Sequence, residues 1–233
     1  MENIVGIIGA MEEEVQVLKD EMKIEKVIEK ASLSYYKGMY KNKPVVVVQS
    51  GIGKVNAAIC AQALIDMFDV AYVINTGVAG ALSEELEIGD VVVSSDAVYH
   101  DFDTTVFGYD KGVIPRMENS YFKADENLIK YALEAEKELE GDLKVYAARI
   151  VSGDQFISSD ELKKEISTNF SGYCTEMEGA AIAHTSYLNK IPFIIIRSIS
   201  DKADNSADIS YEDFTPIAVK NSITILDKII EKI

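Results

Sequence analysis

Two unbroken aliphatic stretches, Val45-Val46-Val47-Val48 and Phe193-Ile194-Ile195-Ile196, constrain the fold of this chain more than any other feature. A strand with one wet face alternates apolar and polar side chains, whereas a strand without polar positions must be covered on both faces. These runs therefore predict interior strands of a sheet that carries helices on each side. Further strands are expected at residues 4–10, 70–75, 90–95, 144–152 and 173–177, with antiparallel strands in 26–40. Residues 41–43 read as a turn into a strand at 45–50, and the second aliphatic run belongs to a strand at 193–200. Apolar residues at helical spacing predict helices at 11–22 (Val15, Leu18, Met22) and 53–68 (Val55, Ile59, Ala63, Met67). Others are expected at 125–140, 159–170 with Ser159 or Asp160 as cap, 178–189 and 211–233. The class is α/β: a three-layer αβα sandwich around a central mixed sheet, in one domain over residues 1–233.

A chain of 233 residues buries about 70% of its unfolded surface and needs neither disulfides nor a metal to fold. Its net charge of −16 argues against nucleic acid and anionic membrane surfaces, which require basic patches. The longest apolar runs fall far short of the roughly 20 residues that cross a bilayer. Glu2 follows Met1 with no basic stretch before an apolar one, so no secretory signal is expected. Cys60 and Cys174, far apart in apolar surroundings, read as buried free thiols of a cytoplasmic protein. His100 and His184 are the only histidines. No Cys/His cluster has metal-ligand spacing, and His184, on an apolar helix face, reads as a core histidine.

In sheets of this class the ligand lies beyond the carboxyl ends of the strands. Five such ends carry unusual residues. Gly9-Ala10-Met11 leads into Glu12-Glu13-Glu14; acidic residues in a first helical turn complement the helix dipole, which accounts for at least two of the three. Ser50-Gly51-Ile52-Gly53-Lys54 lacks the spacing of a Walker loop and the third glycine of a dinucleotide fingerprint. Its glycines suit a tight turn or a close approach to ligand. Asn75-Thr76-Gly77-Val78-Ala79-Gly80 is a run of small residues that makes room for something. In Glu176-Met177-Glu178, continued strand alternation would place both carboxylates on one face. Arg197 and Asp201, four apart at the end of a very apolar strand, form either a structural ion pair or a ligand-facing pair whose carboxyl is raised by burial.

Taken together, Gly6-Ile7-Ile8-Gly9-Ala10-Met11-Glu12-Glu13-Glu14, Ser50 to Val55, Asn75-Thr76-Gly77, Gly89-Asp90-Val91-Val92, Ser152-Gly153-Asp154, Glu176-Met177-Glu178 and Ser200-Asp201 resemble the bacterial 5′-methylthioadenosine/S-adenosylhomocysteine nucleosidases. The match runs in register from Gly6 to about Phe214. Each motif alone is weak; seven in order are specific. The resemblance implies a nucleoside phosphorylase-like fold, hydrolysis of the N-glycosidic bond of 5′-thioadenosines to adenine and a 5-thioribose, and no metal or cofactor. It gives Asp201 the role of acid that protonates the departing adenine, with Ser200 orienting it, and Glu14 the role of water-activating base. Glu178 holds the ribose hydroxyls, Met177 packs on the sugar, and Arg197 helps position water and ribose. Phe156 stacks on adenine and Ile157 bonds it through its backbone, with Ala79 and Gly80 also at the substrate. Ile52, Met11 and Tyr211 wall the 5′-thio group.

Two departures stand out. Relatives commonly have Ser where this chain has Val78, which removes a hydroxyl near the water and its base. Tyr211 replaces the usual Phe, making the pocket edge more polar. The resemblance further implies a homodimer in which the loop 99–115 completes the partner's thio pocket through Phe107 and Pro115. Otherwise Phe102, Phe107 and Tyr109 pack on their own subunit. Three alternatives remain open at this stage. A purine nucleoside phosphorylase would need cationic neighbours for phosphate; the chain has only Arg116, Arg149 and Arg197, with Lys54 a partial substitute. An aminofutalosine nucleosidase would use the same catalytic set. A non-catalytic nucleoside-binding protein would share the fold. 5′-Deoxyadenosine is a further candidate substrate.

Overall fold

The computed structural model describes residues 3–138, 143–204 and 207–233. Its ten strands are β1 (Val5–Gly9), β2 (Lys23–Lys30), β3 (Leu33–Tyr40), β4 (Lys43–Gln49), β5 (Tyr72–Ala81), β6 (Val91–Tyr99), β7 (Phe122–Lys123), β8 (Val145–Ser152), β9 (Cys174–Glu176) and β10 (Phe193–Asp201). The helices are α1 (Glu12–Glu21), α2 (Lys54–Phe68), α3 (Glu126–Glu134), α4 (Asp160–Phe170), α5 (Gly179–Asn189) and α6 (Ala207–Lys232). All strands belong to one mixed sheet. Both aliphatic runs are interior as expected: β4 lies between β1 and β3, and β10 between β5 and β6. Every residue of Val45–Val48 and Ile194–Ile196 is fully buried.

Apolar cores lie on both sides of the sheet. One gathers Ala57, Cys60 and Leu64 of α2 with Ala180, Ala181 and Ala183 of α5. The other gathers Val15 and Leu18 of α1, Leu128 of α3, and Ile225, Leu226 and Ile229 of α6. A third, smaller core seats Ile166 and Phe170 of α4 on Val98 and Val151. The sheet is more than a flat middle layer. β10 pairs with β5 and β6, β6 with β8, β8 with β9, and β9 returns to β5. Five strands thus form a closed ring, and β1, β4, β3 and β2 extend from it as a wing.

One expected boundary moves decisively. The strand at 70–75 continues through the small-residue run and ends at Ala81. The weak strand formers Asn75, Gly77, Ala79 and Gly80 stay extended because β10 pairs with β5 along 73–80 and β9 pairs with Gly80 and Ala81; the ladder overrides their propensity. The helix expected at 125–140 is α3 followed by a short 3₁₀ turn at Glu136–Glu138; its last two positions, 139 and 140, lie outside the described residues. Ser159 caps α4, its hydroxyl accepting from the Leu162 N–H at 3.4 Å. His184 sits in the apolar layer, stacked on Phe122 at 4.5 Å and paired through Nδ1 with the Tyr99 hydroxyl at 3.2 Å. Cys60 and Cys174 are buried free thiols.

Candidate active site

Strand ends converge on a cavity of about 360 Å³, reached by Glu14, Glu176, Glu178 and Asp201 but, among the described residues, by no Lys or Arg side chain. The acidic run resolves at once. Glu12 and Glu13 face solvent, Glu12 pairing with Lys19 at 2.5 Å, whereas Glu14 is 4% exposed. Glu14 turns back over the start of its helix. Its Oε2 accepts the N–H groups of Ala10 (2.6 Å) and Met11 (3.0 Å), and its Oε1 accepts that of Val78 (3.2 Å). The Val78 donor is backbone, so this anchor survives the loss of a serine hydroxyl, and the valine side chain joins an apolar core instead. Burial raises the Glu14 pKa; Arg197 and the three N–H donors oppose the rise.

The run of small residues makes room for the chain's own carboxylates. A Cβ on Gly77 would lie 2.4 Å from Glu14 Oε1 and 3.3 Å from Arg197 Nη1; one on Gly80 would lie 2.7 Å from Asp201 Oδ1. Asp201 ends β10 just after its register on β5 shifts between Ile199 and Asp201. Such bulges re-aim a side chain. Asp201 Oδ2 accepts from the Ser200 hydroxyl at 2.9 Å and Oδ1 from the Ala203 N–H at 2.8 Å. Burial outweighs these bonds and raises its pKa.

Glu176 and Glu178 do not continue one strand. β9 ends at Glu176, and Glu178 is the N-cap of α5. Both nevertheless face Arg197. The guanidinium is 2% exposed and does not line the cavity; its Nη2 donates to Glu176 Oε2 at 2.5 Å and Asn75 Oδ1 at 2.6 Å, and lies 4.0 Å from Glu178 Oε2. The sequence left a structural pair and a ligand-facing residue open. The structure places Arg197 behind the carboxylates and pairs it with Glu176 rather than Asp201. Glu178 Oε1 accepts the N–H of Gly53, whose φ of 97° turns the chain into α2. The Glu178 pKa is raised, first by burial and then by Glu176.

Of the other candidates, Met11, Ile52, Ala79, Gly80, Phe156, Met177, Ser200 and Tyr211 line the same cavity. The Tyr211 hydroxyl is occupied, donating to Met11 Sδ at 3.0 Å, and its ring meets Phe156 edge-on at 5.9 Å. Ile157 is buried and lines a small adjoining pocket instead. Phe107 and Pro115 do not reach the cavity of their own subunit. Phe107 is 77% exposed with Val106 at 84%, whereas Phe102 packs on a core. Ala10, Thr175 and Glu176 line the cavity and were not singled out from sequence as substrate-facing. Glu176 alone had a legible signal, a second carboxylate two residues from Glu178 at a strand end.

The closed ring of strands presents buried carboxylates around an apolar-walled cavity. The sequence signature of the Phosphorylase superfamily matches residues 4–231, and the chain belongs to that superfamily. Within it, the chain belongs to the 5′-methylthioadenosine/S-adenosylhomocysteine nucleosidases. It is 46% identical to the nucleosidase of that name from Staphylococcus saprophyticus over 231 residues, 99% of this chain and 100% of that protein. Its fold superposes on the Neisseria meningitidis nucleosidase in complex with methylthio-immucillin-A with a TM-score of 0.94, at 40% identity, covering 99% of this chain and 100% of that one. The futalosine hydrolase of Helicobacter pylori is also similar, with a TM-score of 0.93 at 32% identity, covering 99% of this chain and 98% of that one.

Proposed function

We propose that this chain, acting as one domain over residues 1–233, hydrolyses the N-glycosidic bond of 5′-methylthioadenosine and S-adenosylhomocysteine, releasing adenine. The observation that carries hydrolysis over phosphorolysis is the charge of the cavity. Among the described residues, four carboxylates and no cationic side chain line it. A phosphate dianion needs fixed donors and positive charge. Arg197 is engaged by Glu176 and Asn75, and Lys54 is held by Asp101 at 2.5 Å and Asp154 at 3.6 Å. Water, in contrast, suits a buried carboxylate base.

Each step follows from a named group. Adenine leaves poorly as an anion, so Asp201, whose raised pKa keeps the proton available, protonates the base as the bond breaks. The ribosyl group becomes cationic, and the surrounding carboxylates stabilise it without reorganising. Glu178 receives the ribose hydroxyls, and Met177 packs on the sugar. Glu14, fixed by three N–H donors, takes a proton from the attacking water. Phe156 and Tyr211 close over the base and the 5′ substituent, with Met11 and Ile52 completing the apolar wall. Adenine release should therefore proceed in phosphate-free buffer at an unchanged rate when phosphate is added, giving free methylthioribose. Release that depends on phosphate would make the enzyme a phosphorylase. Because the fold also matches a futalosine hydrolase, the same assay with aminofutalosine and 5′-deoxyadenosine sets the order of substrates.

The exposed apolar residues suggest the partner. Ile52, Val55 and Ile59 on and before α2, Leu188 on α5, and Val106 and Phe107 on the 99–115 loop all face solvent in one chain. In so acidic a protein such residues need a cover. A second copy provides it, with Phe107 and Pro115 completing the partner's 5′ pocket. Phe107→Ala should raise KM for methylthioadenosine about tenfold, the loss of one aromatic contact, and leave KM for adenosine nearly unchanged. A monomer with full activity by light scattering and assay would remove the cross-subunit role. The buried free thiols fit a reducing cytoplasm, and among the described residues no helix is long and apolar enough to cross a membrane.

A further inference from the structure

Arg197 is a problem for the chemistry as well as a part of it. It is a buried cation with three carboxylates around it, Glu14, Glu176 and Glu178. Two of these must keep their oxygens free, one for water and one for ribose. A guanidinium that closed on either would hold it in a charge-assisted bond and make it a weaker base. The structure shows one carboxylate committed to the arginine and two held off it. Glu176 Oε2 takes the 2.5 Å bond from Nη2, whereas Glu178 stays 4.0 Å away. Glu14 Oε1 and Arg197 Nη1 approach the same empty position beside Gly77, with no hydrogen bond between them among the described contacts.

Glu176 is itself built in. Its Oε2 also accepts the N–H groups of Glu178 (3.0 Å) and Gly179 (2.7 Å), and its Oε1 accepts the Ser152 hydroxyl. That hydroxyl in turn accepts the Ala180 N–H at 2.7 Å. The first turn of α5, the end of β8 and the arginine therefore meet at one side chain, and the same turn starts with Glu178. We propose that Glu176 is a positioning residue: it fixes Arg197 in place so that the arginine cannot close onto Glu14 or Glu178, which stay free for water and ribose. This rests on the hydrolase reading above.

The test is Glu176→Gln, which keeps the shape and an acceptor for the α5 N–H groups but removes the charge. Other charged or titratable groups facing Glu14 are Arg197 from β10, Glu178 at the head of α5, and Tyr211 from α6; all remain in the variant. With its partner neutral, Arg197 turns to Glu14 and Glu178 and stabilises their anions. The ascending limb of kcat/KM against pH should move to lower pH by about one unit, with kcat down about tenfold. Carbon-detected titration of the Glu14 carboxyl should move the same way. A limb and titration left where they are, whatever the loss of rate, would overturn the proposal and leave Glu176 a purely structural residue. If the glutamine variant fails to fold, Ser152→Ala loosens Glu176 instead, and a shift in the same direction is expected; no shift there overturns it too. Wild-type enzyme run in parallel separates the two ideas: no adenine release from it sinks the hydrolase reading, and this inference with it.

Discussion

Asp201→Asn is expected to slow adenine release about a thousandfold, the scale of a lost general acid, while the protein melts at the same temperature or higher. The two halves of this result have one cause. Asn keeps the shape, accepts the Ala203 N–H with its one oxygen and turns its NH2 to the Ser200 hydroxyl, which can accept, but it holds no transferable proton. The stability half follows from burial. The folded-state pKa of Asp201 is raised above 3.8, so the folded protein binds the proton more tightly than the unfolded chain. That contribution to stability is fully present below 3.8 and is lost as pH rises through the raised value. Asn binds no proton in this range and so removes the dependence. Stability measured against pH should accordingly be flatter in the variant. Activity retained within tenfold would take the acid role from Asp201, and a large drop in melting temperature would mark it as structural.

Glu14→Gln is expected to cost about a thousandfold in kcat as well, with a different stability signature. Both Glu14 oxygens accept backbone N–H groups, from Ala10, Met11 and Val78. An amide has one acceptor and one donor end, so one of these N–H groups must face another donor. Leaving a buried donor unpaired costs about 1–3 kcal/mol, offset in part by removing a buried charge. The variant should thus fold, melt slightly earlier, and bind transition-state-like cationic inhibitors more weakly because a carboxylate near the developing charge is gone. Single-turnover rates and inhibitor titration check both halves. Unchanged turnover would move the base to another carboxylate of the cavity. The pH profile of the wild type should be bell-shaped, since Glu14 must be ionised and Asp201 protonated, and both are raised by burial.

Much of the fold is legible in the sequence. Aliphatic runs such as Val45–Val48 report two covered faces because side chains there have no polar exit. The helical spacing of Val15, Leu18 and Met22 did locate α1, since all three are buried. The site was less legible, for physical reasons. Periodicity treats Glu12, Glu13 and Glu14 alike; only the backbone turn at Ala10 and Met11 selects the third. The run from Asn75 to Gly80 reads as small residues beyond a strand, and pairing with β10 and β9 is what carries the strand through it. The pairing of Glu176 with Arg197 was not legible because the two lie 21 residues apart in sequence. Burial of a charge depends on such distant pairings, which no local pattern contains.

The ring of strands has a consequence for how the protein behaves when crowded. A closed ring offers no free backbone to a neighbour, so β-type adhesion between molecules could begin only at the wing, along β2, or at the two-residue β7. β2 is almost wholly solvent-exposed, and its sequence Lys23-Ile24-Glu25-Lys26-Val27-Ile28-Glu29-Lys30 interleaves charges of both signs with its few apolar side chains. Charged and very short edges are the usual protection against edge-to-edge stacking. The charges along β2 thus guard the one long edge that the sheet leaves open among the described residues.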